Sequence, residues 1–304
     1  MKSSIDESVI SEVGEQNKNL FMTIVKIGLC VIFTVFAVMG GSILGDFVIG
    51  QFDTFDPTQF DASKYVESQM NIDNWKTKGI NSLTATQVFV VAESRLHECN
   101  YYGVFTKGYN GEDKGIVTTL GMTQDLYGYR CLVDGKGYID YYSAGLANVA
   151  KKIEYTVNEN KYYCYEGKIA GDSATWTPNP TESGCLYRTA EEYKEMVGCY
   201  AENPIDYIVS TKTVTKETTN EKVGDLYSYT LILNPTTSVL NYVKRMNYMS
   251  GFGYPKFSSV ELRFEVDENM NFRNIYISES YKIMGMSASS KYKNEFVYEN
   301  VEVR

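Results

Sequence analysis

The chain has 304 residues, with 38 acidic against 29 basic side chains and a net charge of −9 at pH 7. The acidic residues are spread along it and no Lys/Arg-rich run exists, which disfavours nucleic-acid binding, because phosphate contact needs clustered positive charge. The same lack of basic clusters disfavours tight electrostatic adsorption to an anionic surface.

Residues 1–19 are polar, with Ile5, Val9, Ile10 and Val13 as a short helical stripe, and read as a cytoplasmic tail. From Ile27 to Gly45 the sequence IGLCVIFTVFAVMGGSILG runs 19 residues without a charge, and apolar flanks widen it to 20–49. At about 1.5 Å per residue it covers about 28 Å as a helix, close to the ~30 Å hydrocarbon core of a bilayer. Lys2, Lys18 and Lys26 precede the run, while only Lys64 falls in the first twenty residues after it. The positive-inside rule then predicts a single-pass anchor in the cell membrane, with the N-terminus cytoplasmic and the C-terminal bulk outside. A cleaved signal peptide would have a shorter apolar core than the one before Gly40, Gly41 and Ser42. A lipobox would put a small residue where Leu29 precedes Cys30.

Residues 50–81 read as a stalk with one or two short helices, the Asp56-Pro57 pair opening the first. Residues 82–304 read as one extracytoplasmic domain. Ala85, Val88, Phe89, Ala92, Leu96 and Cys99 fall on one face of a helix over 82–99. From Tyr101 the period changes to two, predicting strands at 101–107, 114–120, 124–132, 137–143, 151–157 and 161–166, with turns at Asn110-Gly111, Asp134-Gly135 and Asn158 to Asn160. A polar loop with Pro178 and Pro180 fills 167–188. Thr189 then caps a short helix, with Glu192 as its capping-box partner and Gly198 as its stop. Strands at 207–214 and 226–233 follow. Asn234-Pro235 opens a helix with Val239, Leu240, Val243, Met246 and Met249 on its apolar face. Strands at 257–266, 272–278 and 287–303 close the chain. About ten short strands with a few helices on one side predict an α+β fold dominated by one curved antiparallel sheet, preceded by one transmembrane helix.

Of the six cysteines, all but Cys30 lie outside the apolar run. An oxidising compartment permits disulfides; Cys164–Cys185 is the preferred pair because it closes a loop rich in Gly, Thr and Pro, and Cys99–Cys131 is a second. Five being odd, at least one thiol stays free or pairs between chains. The absence of Asn-x-Ser/Thr sequons, with Asn179 and Asn234 each followed by proline, favours a bacterial source over a glycosylated ectodomain. No catalytic constellation assembles. His97 is the single histidine, too few for a metal site or a nucleophile triad. Asp267, Asn269 and Asn271 imitate the start of a calcium loop, but Phe272 stands where an EF-hand needs Gly and Ser278 where it needs Glu, so a hairpin turn is expected. No cofactor, metal or enzyme activity is expected.

The 26 tyrosines and the methionine-bearing helix suit an apolar-ligand cavity lined by Val239, Leu240, Val243, Met246 and Met249, and they suit an ordinary core equally well. The order of elements resembles the LolA/LppX-like lipoprotein-carrier superfamily: the lead helix at 82–99, the strand series from Tyr101, the helix at 235–250, and the hairpin VELRFEVDENMNFRNIYISESY from Val260 to Tyr281. The resemblance implies a half-open barrel, helices on its concave face and an apolar cavity between them. It carries over no individual ligand residue. Members carry or sense lipids and lipoproteins; a fixed anchor departs from a diffusing shuttle. The function expected is non-catalytic binding of an apolar ligand or a lipid or lipoprotein envelope component. The alternative is a structural or protein-interaction ectodomain of a cell-envelope assembly.

Overall fold

The computed structural model describes residues 55–108, 115–119, 122–144, 149–170, 173–176, 185–250, 253–283 and 286–301. They belong to one compact unit, Asp53–Arg304. A unit with its own apolar core has what a domain needs to fold alone. The expected span from Ile27 to Gly45 and the tail before it lie outside the described residues. Among the described residues no helix is long and apolar enough to cross a membrane.

The segment read as a stalk is fastened to the domain. Asp56 and Asp61 cap two 3-10 turns, Pro57–Gln59 and Ala62–Tyr65, and Ser68 caps helix α1, Gln69–Lys76. The Glu67 carboxylate accepts hydrogen bonds from Thr211 Oγ1 at 2.7 Å and Thr211 N at 3.1 Å. Trp75 and Ile80 are buried in the main core. Helix α2, Ala85–Glu98, begins in a capping box between Thr84 and Gln87 and buries Val88, Phe89, Val91, Ala92 and Leu96. That face matches the sequence period.

The sheet is built of β1 (Tyr101–Gly108), β2 (Gly115–Thr119), β3 (Met122–Val133), β4 (Lys136–Ala144), β5 (Val149–Thr156), β6 (Lys161–Ala170), β7 (Ser173–Trp176), β8 (Cys185–Arg188), β9 (Val214–Thr219), β10 (Tyr227–Leu233), β11 (Lys256–Val266), β12 (Phe272–Ile283) and β13 (Met286–Val297). All pairings are antiparallel, and the order is β7-β6-β5-β4-β3-β1-β13-β12-β11-β10-β9. Among the described residues the thirteen strands fill eleven positions. β2 takes up between β13 and β3 where β1 stops, Tyr292 being opposite Gly108 and Lys291 opposite Ile116. β7 and β8 likewise share one position along β6. Two meanders, β1 to β8 and β9 to β13, therefore join along the β1–β13 pair.

Between the meanders lies helix α3, Ala190–Val197, with the expected Thr189–Glu192 capping box and Gly198 as a left-handed stop at φ 96°. Helix α4, Leu240–Ser250, is inserted between β10 and β11. α2 packs on β9, β10 and β12, α3 on β6 and α4, and α4 on β5 and the Pro57–Gln59 turn. The α+β class and the large antiparallel sheet expected from the sequence are thus present. The inward rows of the second meander are fully buried: Leu231, Leu233, Val260, Leu262, Phe264, Phe272 and Ile277. A small second core of Tyr129, Cys131 and Tyr138 sits on the opposite face, where Phe105 and Val301 pack against it.

Three expectations are corrected. The polar loop at 167–188 contains the end of β6 and all of β7 and β8; the two added strands have four residues each, too short for a period to show beside two prolines. The strand expected at 207–214 is irregular, because Thr213 Oγ1 accepts from Ser210 N at 2.9 Å and donates to Ile208 O at 2.8 Å, replacing ladder bonds with local ones. The last helix starts at Leu240 instead of Pro235, since the Asn234 side chain holds Thr236 N and Thr237 N in a turn at 2.9 and 3.2 Å.

Candidate binding site

Helix α4 carries most of the residues singled out for a ligand cavity. Val239 just before it, and Leu240 and Val243 within it, are fully buried, and Val239 and Val243 belong to the main core. Met246 is half-buried and packs against that core. Met249 lies in the helix, but its side chain is outside the described residues.

The side of α4 that meets the second meander holds a polar knot. Glu279 projects inward from β12 and is buried at 3% exposure. Its carboxylate accepts from Tyr242 of α4 at 3.1 Å, from Tyr207 and from Ser290 of β13. Tyr292 lies 3.1 Å from the Tyr207 hydroxyl and 3.2 Å from that of Tyr242. Burial pushes the Glu279 carboxyl up to about 7, against three hydroxyl donors that favour the ionised form. Burial first, and then the Glu279 charge, raises Tyr207, Tyr242 and Tyr292 well above the ordinary phenol range. Beside the knot, Arg245 of α4 pairs with Asp206. This closed arrangement bolts α4 to the sheet.

Tyr102, Tyr155 and Tyr162 of the first meander are likewise tied up in structure. Tyr102 donates to Glu202 O at 2.7 Å and Tyr162 to Glu202 Oε2 at 2.7 Å, while Arg130 donates to Asn203 O at 2.8 Å. Tyr155, Tyr162 and Tyr193 stack in a column with centroids 5.4 and 5.2 Å apart. Gly137 makes the column possible: a Cβ there would lie 1.8 Å from the Tyr155 ring. The Tyr102 and Tyr162 hydroxyls thus hold Glu202 on the inner face, as buried tyrosines do when a partner is in reach.

An open groove of about 490 Å³ lies where β11, β12 and β13 end. It is lined by three residues from each strand: Lys256, Phe257 and Ser258; Ser280, Tyr281 and Lys282; Ser287, Ala288 and Ser289. Pairing sets Lys256 opposite Lys282 and Lys282 opposite Ser287, with the row Phe257, Tyr281 and Ala288 beside it. The middle row is buried in the main core, while Lys256, Ser258, Lys282, Ser287 and Ser289 of the flanking rows are exposed. A register irregularity between Phe257 and Ser259 bends β11 at this point, and Ser258 Oγ donates to Ser280 O at 3.1 Å. Phe257 also continues the aromatic series from the knot, 5.7 Å from Tyr242 and 5.1 Å from Tyr281. Sequence reasoning missed this site because its residues come from three strands and meet only through register.

His97 is exposed, with Nε2 3.1 Å from Asn203 Oδ1. Among the described residues no group of three or more His, Cys, Asp and Glu side chains could hold a metal ion. The Asp267 carboxylate closes the expected hairpin turn, accepting from Asn269 N and Asn271 N at 2.9 Å each. For the proposed Cys164–Cys185 pair, the register puts Leu186 opposite Cys164 and Cys185 opposite Tyr165. The Cys164 thiol and the Tyr248 hydroxyl are hydrogen-bonded to each other. Cys99 is a free thiol donating to Tyr101 O at 3.1 Å, so the Cys99–Cys131 pair is not formed. No family model matches the chain, and neither does any curated protein.

Proposed function

We propose that the chain is a membrane-anchored, extracytoplasmic and non-catalytic binding protein whose domain holds a cell-envelope component in the groove at the end of β11, β12 and β13. The observation that carries this reading is the groove itself, a 490 Å³ opening lined by lysines and serines together with Phe257, Tyr281 and Ala288 from three strands. Concave sites with a few convergent polar groups are where ligands bind. Of the residues first considered for a cavity, Val239 and Val243 belong to the main core, so the ligand is placed outside it.

The finer shape in this proposal is a curved, half-open sheet with helices on its concave face, as the LolA/LppX-like resemblance implies. Groups that a flat sheet would keep apart support it. Tyr141 on β4 feels the charge of Glu279 on β12, four strand positions away, or about 19 Å at ~4.8 Å spacing. Helix α4 reaches both Glu279 through Tyr242 and Lys151 on β5, whose Nζ lies 4.3 Å from the Tyr248 ring centroid. The anchor from Ile27 to Gly45 would keep the domain at the membrane, which suits a sensor or tethered binder over a diffusing carrier.

Native mass spectrometry of residues 53–304, secreted and purified without detergent, tests the reading. A bound envelope-derived mass that disappears in a Ser280→Trp variant, which fills the groove, is the expected result. A bare polypeptide mass, or a bound mass indifferent to Ser280→Trp, would refute it.

A further inference from the structure

We infer that helix α4 is a pH-operated latch, closed on the second meander while Glu279 is protonated and released from it, with the sheet intact, when Glu279 ionises. This holds whether or not the groove binds a ligand.

The helix is fastened unevenly. Apolar burial at Val239, Leu240 and Val243 anchors its start. From Lys244 to Tyr248 every residue is only half-buried. Polar contacts hold much of that part: Arg245 pairs with Asp206, the Tyr248 hydroxyl is bonded to the Cys164 thiol, and Lys151 Nζ lies 4.3 Å from the Tyr248 ring centroid. Segments with little buried apolar surface open at a lower free energy than the core. Tyr242 stands where the two parts meet and donates to Glu279 at 3.1 Å.

Glu279 meets hydroxyls and no cation. Tyr242 of α4, Tyr207 of the segment before β9 and Ser290 of β13 donate to it. Tyr292 of β13, Tyr281 of β12 and Tyr141 of β4 feel its charge. Val260 stands opposite it on β11. Arg245 and Asp206, the charged groups beside this cluster, are paired with each other. All five tyrosines are held above the ordinary phenol range, chiefly by burial, and stay neutral near pH 7.

A carboxylate buried without a cation costs free energy that the neutral acid does not. Keeping the proton avoids that cost, and so does admitting water. Withdrawal of α4 takes Tyr242 off the carboxylate while the ladders of β12 with β11 and β13 remain paired. Ionisation therefore favours local opening of α4 over opening of the sheet. The carboxyl is raised to about 7 when closed, so the opening cost is full below 4.5, falls as pH rises and levels off above about 7. Through the contact of Tyr242 with Phe257, 5.7 Å between centroids, the release also reaches a residue that lines the groove.

Amide hydrogen–deuterium exchange of residues 53–304 at pH 5, 6, 7 and 8 tests the latch. Protection factors, which remove the pH dependence of the intrinsic exchange rate, are compared between peptides of α4 and peptides of β11 around the fully buried Leu262 and Phe264. In the parent, α4 protection is expected to fall on the order of fiftyfold between pH 5 and pH 8, most of it by pH 7. It should lie below that of β11 throughout, and Glu279→Gln should remove the fall. A parent profile that does not change with pH, or the same fall in Glu279→Gln, would overturn the latch. Equal protection of α4 and β11 at every pH would overturn it too, because the helix would then leave only when the whole domain unfolds. Should circular dichroism show Glu279→Gln unfolded, the parent profile decides alone, by its slope and by its level against β11.

Discussion

Glu279 makes the stability of the domain depend on pH in a way that a single substitution removes. Its carboxyl is raised from 4.5 to about 7, chiefly by burial, with the Ser290, Tyr207 and Tyr242 hydroxyls pulling the other way. The folded state therefore holds this proton in a range where the unfolded chain has released it. Stability from this group is full below the unfolded value of 4.5, falls as pH rises, and levels off above about 7. The rise of about 2.5, at about 1.36 kcal/mol for each, amounts to about 3 kcal/mol. That is a large share of the 5–15 kcal/mol that holds a typical domain together. Glu279→Gln keeps an acceptor for the hydroxyls and cannot ionise. Urea unfolding of residues 53–304 at pH 4.5, 5.5, 6.5 and 8 should show parent and variant close together at the acid end. At pH 8 the variant should be more stable by up to about 3 kcal/mol. A difference that stays constant across the series, or a variant less stable at pH 8, would refute the argument that burial dominates the hydroxyl contacts.

Other substitutions test the tyrosine column, the cap of α3 and the ion pair beside the knot. Gly137→Ala drives a methyl into the Tyr155 ring, 1.8 Å from the new Cβ, and should cost about 1–3 kcal/mol in the same denaturation assay. Thr189→Ala removes the side chain that accepts from Glu192 N at 3.2 Å and should cost about 1 kcal/mol. Arg245→Met leaves Asp206 as an uncompensated charge at 11% side-chain exposure and should cost about 3–5 kcal/mol, most of it recovered in the Asp206→Leu/Arg245→Met double variant.

The sequence periods located most elements but not the relations between them. Helix α2, the Thr189–Glu192 box, the Asp267 turn and the alternation of β11 were legible because each depends on residues within one turn or one strand. Strands β7 and β8 were not, since four residues carry too little pattern. The segment at 207–214 was misread because a run with Ile208 and Val209 looks like a strand until Thr213 takes over its backbone bonds. The site was the least legible part. Lys256 and Lys282 are far apart in sequence, and their opposition exists only after β11 and β12 pair. Tyrosine abundance suited a cavity and an ordinary core equally well, and Tyr102, Tyr162, Tyr207 and Tyr242 spend their hydroxyls on Glu202 and Glu279 inside the fold.

The most direct test of the central claim is photo-crosslinking of the full chain in intact cells. A photoreactive residue replaces Ser289, which lines the groove, or Tyr187, which is exposed on β8. The account predicts a discrete adduct of an envelope component at position 289, absent at position 187 and lost in the Ser280→Trp background. The same adduct at both positions, or none at 289, would contradict a binding site at the end of β11, β12 and β13.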